Sequence, residues 1–206
     1  IQNKALELSL FLSLPATMAL IIAPTEITSS LFGYGEFDIS SVNNSASALF
    51  YFAIGLPAFS IIKIFSSFLF ARQNTKIPFY FSLISVIINI IISIYFFKDI
   101  GFIIIPIATT ISSWINSLLL FIYLIKNKYF FIEFNLIKSL IRIFISTILT
   151  SIFFYNLIAY FSDKLNYESE YKLLMIILLV ILTFVAYIII SILTKAFKIS
   201  DIKLKY

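Results

Sequence analysis

The sequence predicts an all-α, polytopic membrane protein with six transmembrane helices. Of its 206 residues, 61% are hydrophobic and only 12% are charged, and the mean hydropathy is +1.06. These values lie far outside the range of soluble globular domains. Six runs carry no charge, and each is close to the ~20 residues that a helix needs to cross ~30 Å of hydrocarbon. The runs are residues 8–25, 39–62, 79–97, 102–125, 143–162 and 173–194.

The composition also excludes several classes of function. The sequence contains no cysteine and no histidine, so disulfides, thiolate chemistry, metal catalysis and histidine-based acid–base chemistry are not expected. We therefore expect no enzyme, no cofactor and no metal site. The net charge of +5 is spread over loop ends and forms no basic face, so membrane topology explains it better than nucleic-acid binding. The chain begins at Ile1, without the pattern of a signal peptide, and we expect it to be a piece of a longer protein.

The first predicted helix covers about residues 8–32 and contains Pro15 and Pro24. Each proline removes a backbone hydrogen bond and favours a kink. Transporters use broken helices at moving parts, but a static kink relieved by packing explains the prolines equally well. A polar stretch, residues 40–45, can cap the second helix, residues 46–70, which contains Pro57.

Helices three and four are predicted to form an antiparallel pair, because the turn between them, residues 98–101, is short. Helix three covers residues 79–97 and carries Asn89 at mid-depth, and helix four covers residues 102–125 and carries Pro106 and Asn116. Small polar residues around Asn116 mark a face that neighbouring helices can approach closely. A packing role for Asn89 and Asn116 is favoured over a cavity role that contacts substrate.

Residues 127–142 mix basic and aromatic side chains and are typical of a linker at the membrane interface. Helix five, residues 143–161, and helix six, residues 173–194, follow, and a short basic tail ends the chain.

The distribution of cations predicts that both chain ends lie in the cytoplasm. With that orientation, eleven cations lie on the cytoplasmic side and three on the other. The eleven are Lys4, Arg72, Lys76, Lys126, Lys128, Lys138, Arg142, Lys195, Lys198, Lys203 and Lys205; the three are Lys98, Lys164 and Lys172.

Three cations are candidate functional residues. Lys63 lies inside the apolar run of helix two, roughly 10 Å from its cytoplasmic end. It either snorkels to the interface or lines a water-filled cavity for an anionic substrate. Arg72 and Lys76 flank a tight polar loop, for which ordinary positive-inside anchoring is the simplest explanation.

Several stretches of the sequence resemble a known family of transporters. LSLPATMALIIAPTEITSSLFGYGEFD (residues 12–38) and FAIGLPAFSIIKIFSSFLFARQNTKIP (residues 52–78), with the pattern of helices three and four, are similar to the C-terminal part of the MurJ/MviN lipid II flippases. These belong to the multidrug/oligosaccharidyl-lipid/polysaccharide exporter superfamily. The most specific part is G-L-P-A-F…K…F-x-A-R-Q-x-T-x-x-P. The resemblance covers nearly the whole chain and weakens in helices five and six.

The resemblance implies that the six helices correspond to the last six of a fourteen-helix flippase. Residues 1–126 would then form four helices of the second lobe, residues 127–142 a cytoplasmic linker, and residues 143–206 two extra helices and a basic tail. The missing eight helices, the lipid-linked peptidoglycan precursor and membrane lipids are the implied partners. Relatives often read R-Q-D-T where this chain has R-Q-N-T, so an inner-gate salt bridge through Asn74 is not expected.

The resemblance implies alternating access in the cytoplasmic membrane of a bacterium, with roles for Lys63 and Arg72 in the cavity and at its cytoplasmic mouth. Two alternatives remain open at this point. One is another exporter of the superfamily, for a different lipid-linked oligosaccharide or a drug. The other is a small, complete six-helix scaffold protein of the membrane.

Overall fold

A computed structural model of the chain describes residues 2–196. Eight α-helices and no strand occupy that range. They are α1 Gln2–Ile22, α2 Pro24–Phe32, α3 Ile39–Ala71, α4 Lys76–Ile100, α5 Ile104–Lys126, α6 Phe134–Tyr160, α7 Ser162–Leu165 and α8 Lys172–Leu193. A 3-10 turn, Gly101–Ile103, joins α4 to α5. Residues 197–206, most of the predicted basic tail, lie outside the described residues.

Five stretches of the described chain are long and apolar enough to cross a membrane, judged by length and composition. One of them, Lys76–Lys126, has 51 residues and contains both α4 and α5. At 1.5 Å per residue it would measure about 76 Å as a single rod, enough for two crossings. The long helices in the described range are therefore α1, α3, α4, α5, α6 and α8, and the predicted all-α, polytopic membrane fold is confirmed.

The four prolines that lie inside predicted helices have different positions in the structure. Pro15 lies inside α1 and Pro57 inside α3. Pro24 opens α2 directly after Ala23, which has φ −129° and ψ 49° and interrupts the helix. Pro106 is the third residue of α5, where a missing N–H breaks no helical bond. The first predicted helix is thus two helices, divided at Ala23.

The second predicted helix begins seven residues earlier than expected, at Ile39. Its cap is the Asp38 carboxylate, which accepts hydrogen bonds from the Ser41 amide at 2.8 Å and the Ser40 hydroxyl at 3.0 Å. The prediction that one of residues 40–45 caps this helix was wrong, because the polar stretch that looked like a loop forms the first turns of α3. An N-terminal cap satisfies amides that the helix itself leaves unbonded.

The fifth predicted helix also begins earlier, at Phe134. Leu136 and Ile143 are both buried and are seven residues apart, so they share one helical face. The helix α6 therefore includes Lys138 and Arg142, which the sequence placed in the interfacial linker.

The chain forms two compact units. The first combines described residues 2–13 and 48–136, and its main element is the α4–α5 hairpin. The Ser85 hydroxyl donates to the Ser112 carbonyl at 2.8 Å, and the Asn89 amide donates to the Thr109 hydroxyl at 3.0 Å. These two pairs run in opposite directions along the chain, so α4 and α5 pack antiparallel, as their short turn predicts.

In the same unit, α5 also packs against the middle of α3. The Thr110 hydroxyl donates to the Tyr51 carbonyl at 2.6 Å, and the Trp114 indole donates to the Ile54 carbonyl at 3.1 Å. A Cβ atom at Gly55 would lie 3.0 Å from the Thr110 hydroxyl oxygen. The absence of a side chain at Gly55 therefore allows the close approach of the two helices.

The second unit combines residues 14–47 with described residues 137–196. Its core contains Ala23, Phe154, Ile158, Leu165, Ile176 and Leu179. Ala23, at the break between α1 and α2, thus packs against α6, α7 and α8. The break is buried in protein, where irregular backbone is tolerated in a membrane protein.

We predict that Gly55→Val destabilises the protein by about 1–3 kcal/mol, because the added methyl groups force α5 away from α3. The thermal midpoint of the complete purified protein in detergent would measure this. Ala71→Val, at an exposed position of the same helix, is the matched control and should leave the midpoint near the wild-type value. Equal midpoints for the two variants would contradict the close α3–α5 contact.

Asp38 gives a prediction about pH. Hydrogen bonds from the Ser41 side chain and amide, and then from Ser40, lower the pKa of the Asp38 carboxyl below its ordinary value. A lowered pKa means that the stabilisation is complete above about pH 4 and is lost as the pH falls through the folded-state pKa. We expect the wild type to lose more thermal stability between pH 7 and pH 3 than Asp38→Asn, which keeps an acceptor that does not titrate. Identical losses in the two proteins would refute the contribution of this cap.

Candidate functional site

The loop between α3 and α4 ends α3 with a Schellman motif. The Asn74 amide donates to the Leu69 carbonyl at 2.9 Å, and the Gln73 amide donates to the Phe70 carbonyl at 2.8 Å. Gln73 has a φ of 59°, a left-handed conformation that glycine usually supplies at this position. Because two backbone bonds fix the turn, residue 72 has a defined position at the end of α3.

Arg72 is exposed, but two aromatic rings restrict the conformation of its side chain. Its guanidinium carbon lies 4.6 Å from the ring centroid of Phe68 and 4.3 Å from that of Tyr129. Both distances fit cation–π contacts, which favour arginine over lysine because the guanidinium group is planar. We call Arg72, Phe68 and Tyr129 the Arg72 clamp.

A second Schellman motif holds Tyr129 in place. α5 ends at Lys126, the Tyr129 amide donates to the Leu124 carbonyl at 2.8 Å, and the Lys128 amide donates to the Ile125 carbonyl at 3.0 Å. Lys128 adopts a left-handed conformation with a φ of 58°. The Arg72 clamp is therefore built from the capped ends of two helices, α3 and α5.

Asn74 provides a further link between these two ends. Its side-chain amide donates to the Tyr123 hydroxyl at 3.3 Å, and its side-chain oxygen accepts a 3.3 Å bond from the Ile77 amide in the first turn of α4. The centroids of the Tyr123 and Tyr129 rings lie 6.4 Å apart in an edge-to-face contact. An amide can donate where an aspartate carboxylate cannot, so Asn74 acts as both donor and acceptor in this loop.

A pocket of about 420 Å³ adjoins the Arg72 clamp and shares its two rings. Its lining consists of Gln2, Asn3, Phe68, Tyr129, Phe131 and Glu133. The Asn3 amide donates to the Phe131 carbonyl at 3.0 Å. Aromatic faces beside amide and carboxylate groups can bind a polar organic group by stacking and hydrogen bonding.

The structure does not bring the other two candidate cations into this clamp. Lys63 is exposed on α3, nine residues before Arg72, and among the described residues it has no hydrogen-bond or ion-pair partner. Lys76 is exposed at the first residue of α4. Neither side chain is ordered by a contact as Arg72 is.

The two candidate asparagines differ from each other. Asn89 lies between α4 and α5 and bonds Thr109, whose hydroxyl in turn donates to the Ile105 carbonyl at 2.8 Å. Asn116 is buried on α5, and its side-chain oxygen has no hydrogen-bond partner within residues 2–196.

Sequence reasoning missed two features. Tyr129 lies in the predicted interfacial linker, and nothing in the sequence pairs it with Arg72, which is 57 positions away. Lys172 was counted only as a loop cation, whereas its side chain is fully buried. Within the described range, no three acidic side chains group in a way that could hold a metal ion.

The left-handed Gln73 predicts a stabilising substitution. Gln73→Gly should raise the stability of the α3–α4 corner by about 0.5–1 kcal/mol, because glycine adopts a positive φ without a steric cost. Amide hydrogen exchange of residues 69–74 in the complete protein is the direct measurement. Gln73→Ala keeps the strain and should bring no gain, so an equal effect of the two variants would contradict this account.

Comparisons with known proteins show the family to which the chain belongs. The family described as lipid II flippase MurJ matches residues 1–176. A probable lipid II flippase MurJ of Rickettsia prowazekii is 34% identical over 179 residues, which cover 87% of this chain and 35% of the relative. A probable lipid II flippase MurJ of Rhizobium meliloti is 37% identical over 125 residues, covering 61% of this chain and 23% of the relative.

A solved structure, titled lipid II flippase MurJ, inward closed conformation, is similar with a TM-score of 0.76 and 26% identity. The similarity covers 94% of this chain and 38% of the solved one. The chain thus spans about a third of the length of the Rickettsia relative. With a family match over residues 1–176, the chain belongs to the lipid II flippase MurJ family.

Proposed function

We propose that this chain is the C-terminal part of a flippase that moves lipid II, the lipid-linked peptidoglycan precursor, across the cytoplasmic membrane of a bacterium. The family match over residues 1–176 is the observation that carries this proposal. In the complete protein, eight further helices precede Ile1. Residues 1–126 then supply four helices of the second lobe, residues 127–142 the linker, and residues 143–206 the two extra helices and tail.

The physical problem is the polar headgroup. Moving a sugar–pyrophosphate group through ~30 Å of hydrocarbon is prohibitive without a hydrated, cationic path. Alternating access provides such a path while the lipid tail stays in the bilayer. The protein's task is to bind, orient and release the headgroup, so we propose a carrier and not an enzyme.

Arg72 is the residue of this chain that we assign to the cytoplasmic mouth of that path. Phe68 and Tyr129 hold its guanidinium in one direction, so little side-chain freedom is lost when it meets an anion. The adjoining pocket offers amide and carboxylate groups beside the same rings. Lys63 faces the cavity in this proposal and supplies a second positive charge, and Lys76 acts as a positive anchor at the mouth.

The proposed orientation places both chain ends in the cytoplasm. The distribution of cations favours it, since Arg72, Lys128 and Lys195 lie at the C-terminal ends of α3, α5 and α8. With cytoplasmic termini, all three of these ends lie on the cytoplasmic side. Cations are also favourable there because the C-terminal end of a helix carries partial negative charge.

The alternative functions are an exporter of another lipid-linked oligosaccharide or of a drug, and a six-helix scaffold. Competition for binding to the complete purified protein separates the exporters: unlabelled lipid II should displace labelled lipid II, and an unrelated lipid-linked oligosaccharide or a cationic drug should not. Displacement by one of the other compounds at equal concentration would favour an exporter of that compound. No binding of any of them would favour the scaffold.

We predict that Arg72→Ala in the complete protein lowers lipid II transport by about tenfold, which corresponds to roughly 1.4 kcal/mol of lost interaction. Arg72→Lys should be intermediate, because lysine keeps the charge and loses the planar stacking. Transport is measured in cells, relative to the amount of protein in the membrane.

Lys126→Ala is the matched control, because Lys126 is an exposed cation at the end of α5 outside the clamp. It should transport as the wild type does. Normal transport by Arg72→Ala would remove Arg72 from the mechanism. An equal loss of transport in Arg72→Ala and Lys126→Ala would mean that Arg72 contributes only positive charge, as any cation on this side would.

A further inference from the structure

Lys172, the first residue of α8, has a side chain that is only 2% exposed. Its ammonium group donates to the Tyr167 carbonyl at 2.6 Å and to the Gly33 carbonyl at 2.7 Å. The same nitrogen lies 4.5 Å from the ring centroid of Tyr34 and 4.4 Å from that of Tyr167. We call Gly33, Tyr34 and Tyr167 the Lys172 cage.

The partners of this charge in the described structure are neutral groups. Lys172 forms no salt bridge among the described residues, and the acidic residues nearest in the sequence, Glu168 and Glu170, are exposed. A buried charge is costly unless hydrogen bonds or aromatic faces compensate for lost water. Two carbonyl oxygens and two ring faces are the groups that compensate a primary ammonium ion.

The walls of the cage are themselves fixed. The Tyr34 hydroxyl donates to the Ser30 carbonyl at 2.9 Å, and the Tyr167 hydroxyl donates to the Phe37 carbonyl at 2.9 Å. A Cβ atom at Gly33 would lie 2.6 Å from the Ser29 carbonyl oxygen and 3.1 Å from the Tyr167 ring, so only glycine fits there. These contacts orient the two rings and the Gly33 carbonyl that meet the ammonium group.

The cage connects two corners of the second unit. Gly33 and Tyr34 belong to the α2–α3 corner, and Tyr167 belongs to the α7–α8 corner. Four and seven residues along α8 from Lys172, Ile176 and Leu179 pack in the core with Ala23. The apolar contact thus continues along α8 from the point where the ammonium is held.

We propose that Gly33, Tyr34 and Tyr167 form a binding site for a primary ammonium group, that Lys172 is its intramolecular ligand, and that its occupancy fastens the α2–α3 corner to the α7–α8 corner. This site is independent of lipid II transport. The proposal requires that the hydrogen bonds and ring contacts of the ammonium group hold the two corners together. The volume of the lysine side chain alone must not be enough.

The first test is hydrogen exchange of the complete protein in detergent, followed at residues 34–38 and 166–171. Lys172→Met keeps most of the side-chain volume and removes the charge, and it should speed exchange in both corners by about tenfold, because two charged hydrogen bonds are lost. Lys164→Met is the matched control, since Lys164 is exposed in the same corner, and it should leave both segments unchanged. Wild-type exchange in Lys172→Met, or faster exchange in one corner only, would overturn the proposal.

A second test restores the ligand from solution. Lys172→Ala leaves space beside the cage, and millimolar propylammonium should slow exchange in both corners again. Propanol, which is neutral and of similar size, should not. Equal rescue by the alcohol and the amine, or rescue by neither, would show that ammonium recognition does not hold the corners.

A milder variant covers the case in which the changes at Lys172 prevent folding. Tyr34 is 48% exposed, so Tyr34→Leu removes one ring face of the cage with little loss of packing. It should speed exchange in both corners by about threefold, whereas Tyr34→Phe keeps the ring and should have a smaller effect. No change in Tyr34→Leu would contradict the cage.

Discussion

The structure depends on one constraint: in an apolar environment the protein itself must satisfy each backbone polar group and each charge. Helix ends are where this constraint is hardest to meet, because the last carbonyl groups have no partner inside the helix. Among residues 2–196, the non-glycine residues with a positive φ are Gln73, Lys128 and Lys195. They follow the ends of α3, α5 and α8, so left-handed backbone is accepted where it closes a helix.

The same constraint explains how the two notable cations are held. Arg72 and Lys172 each lie between two aromatic faces, and in the described structure neither pairs with a carboxylate. Arg72 is exposed, however, and most of its hydrogen-bond donors remain available. Lys172 is buried and donates to two carbonyl groups. Similar aromatic contacts thus hold one cation at the surface and the other inside the protein.

Hydropathy and charge predicted the main features of the fold, because an uncharged apolar run of about 20 residues has the length and composition of a membrane-spanning helix. Boundaries were less accurate where polar residues lie inside a helix. α3 begins at Ile39 because Asp38 caps it, and α6 begins at Phe134 because Leu136 continues its packed face. A local sequence pattern does not show whether a polar stretch belongs to a helix or to the loop before it.

The candidate site was only partly predictable. The sequence identified Arg72 by its place in a motif, but the groups that orient it depend on the packing of α3 against α5. Tyr129 and Arg72 meet because both helices end in Schellman motifs, each with a residue other than glycine in the left-handed position. Lys172 looked like any loop cation, since the groups that bury it include Gly33 and Tyr34, which are far away in the sequence.

We propose that the complete protein carries lipid II across the cytoplasmic membrane. The most direct measurement uses bacteria depleted of their own lipid II flippase and asks how much lipid II an externally added lipid II-cleaving enzyme can reach. With the complete gene product in the membrane, we expect the accessible fraction to return to the level of undepleted cells. If the protein is present in the membrane and lipid II stays inaccessible from outside, the account is wrong.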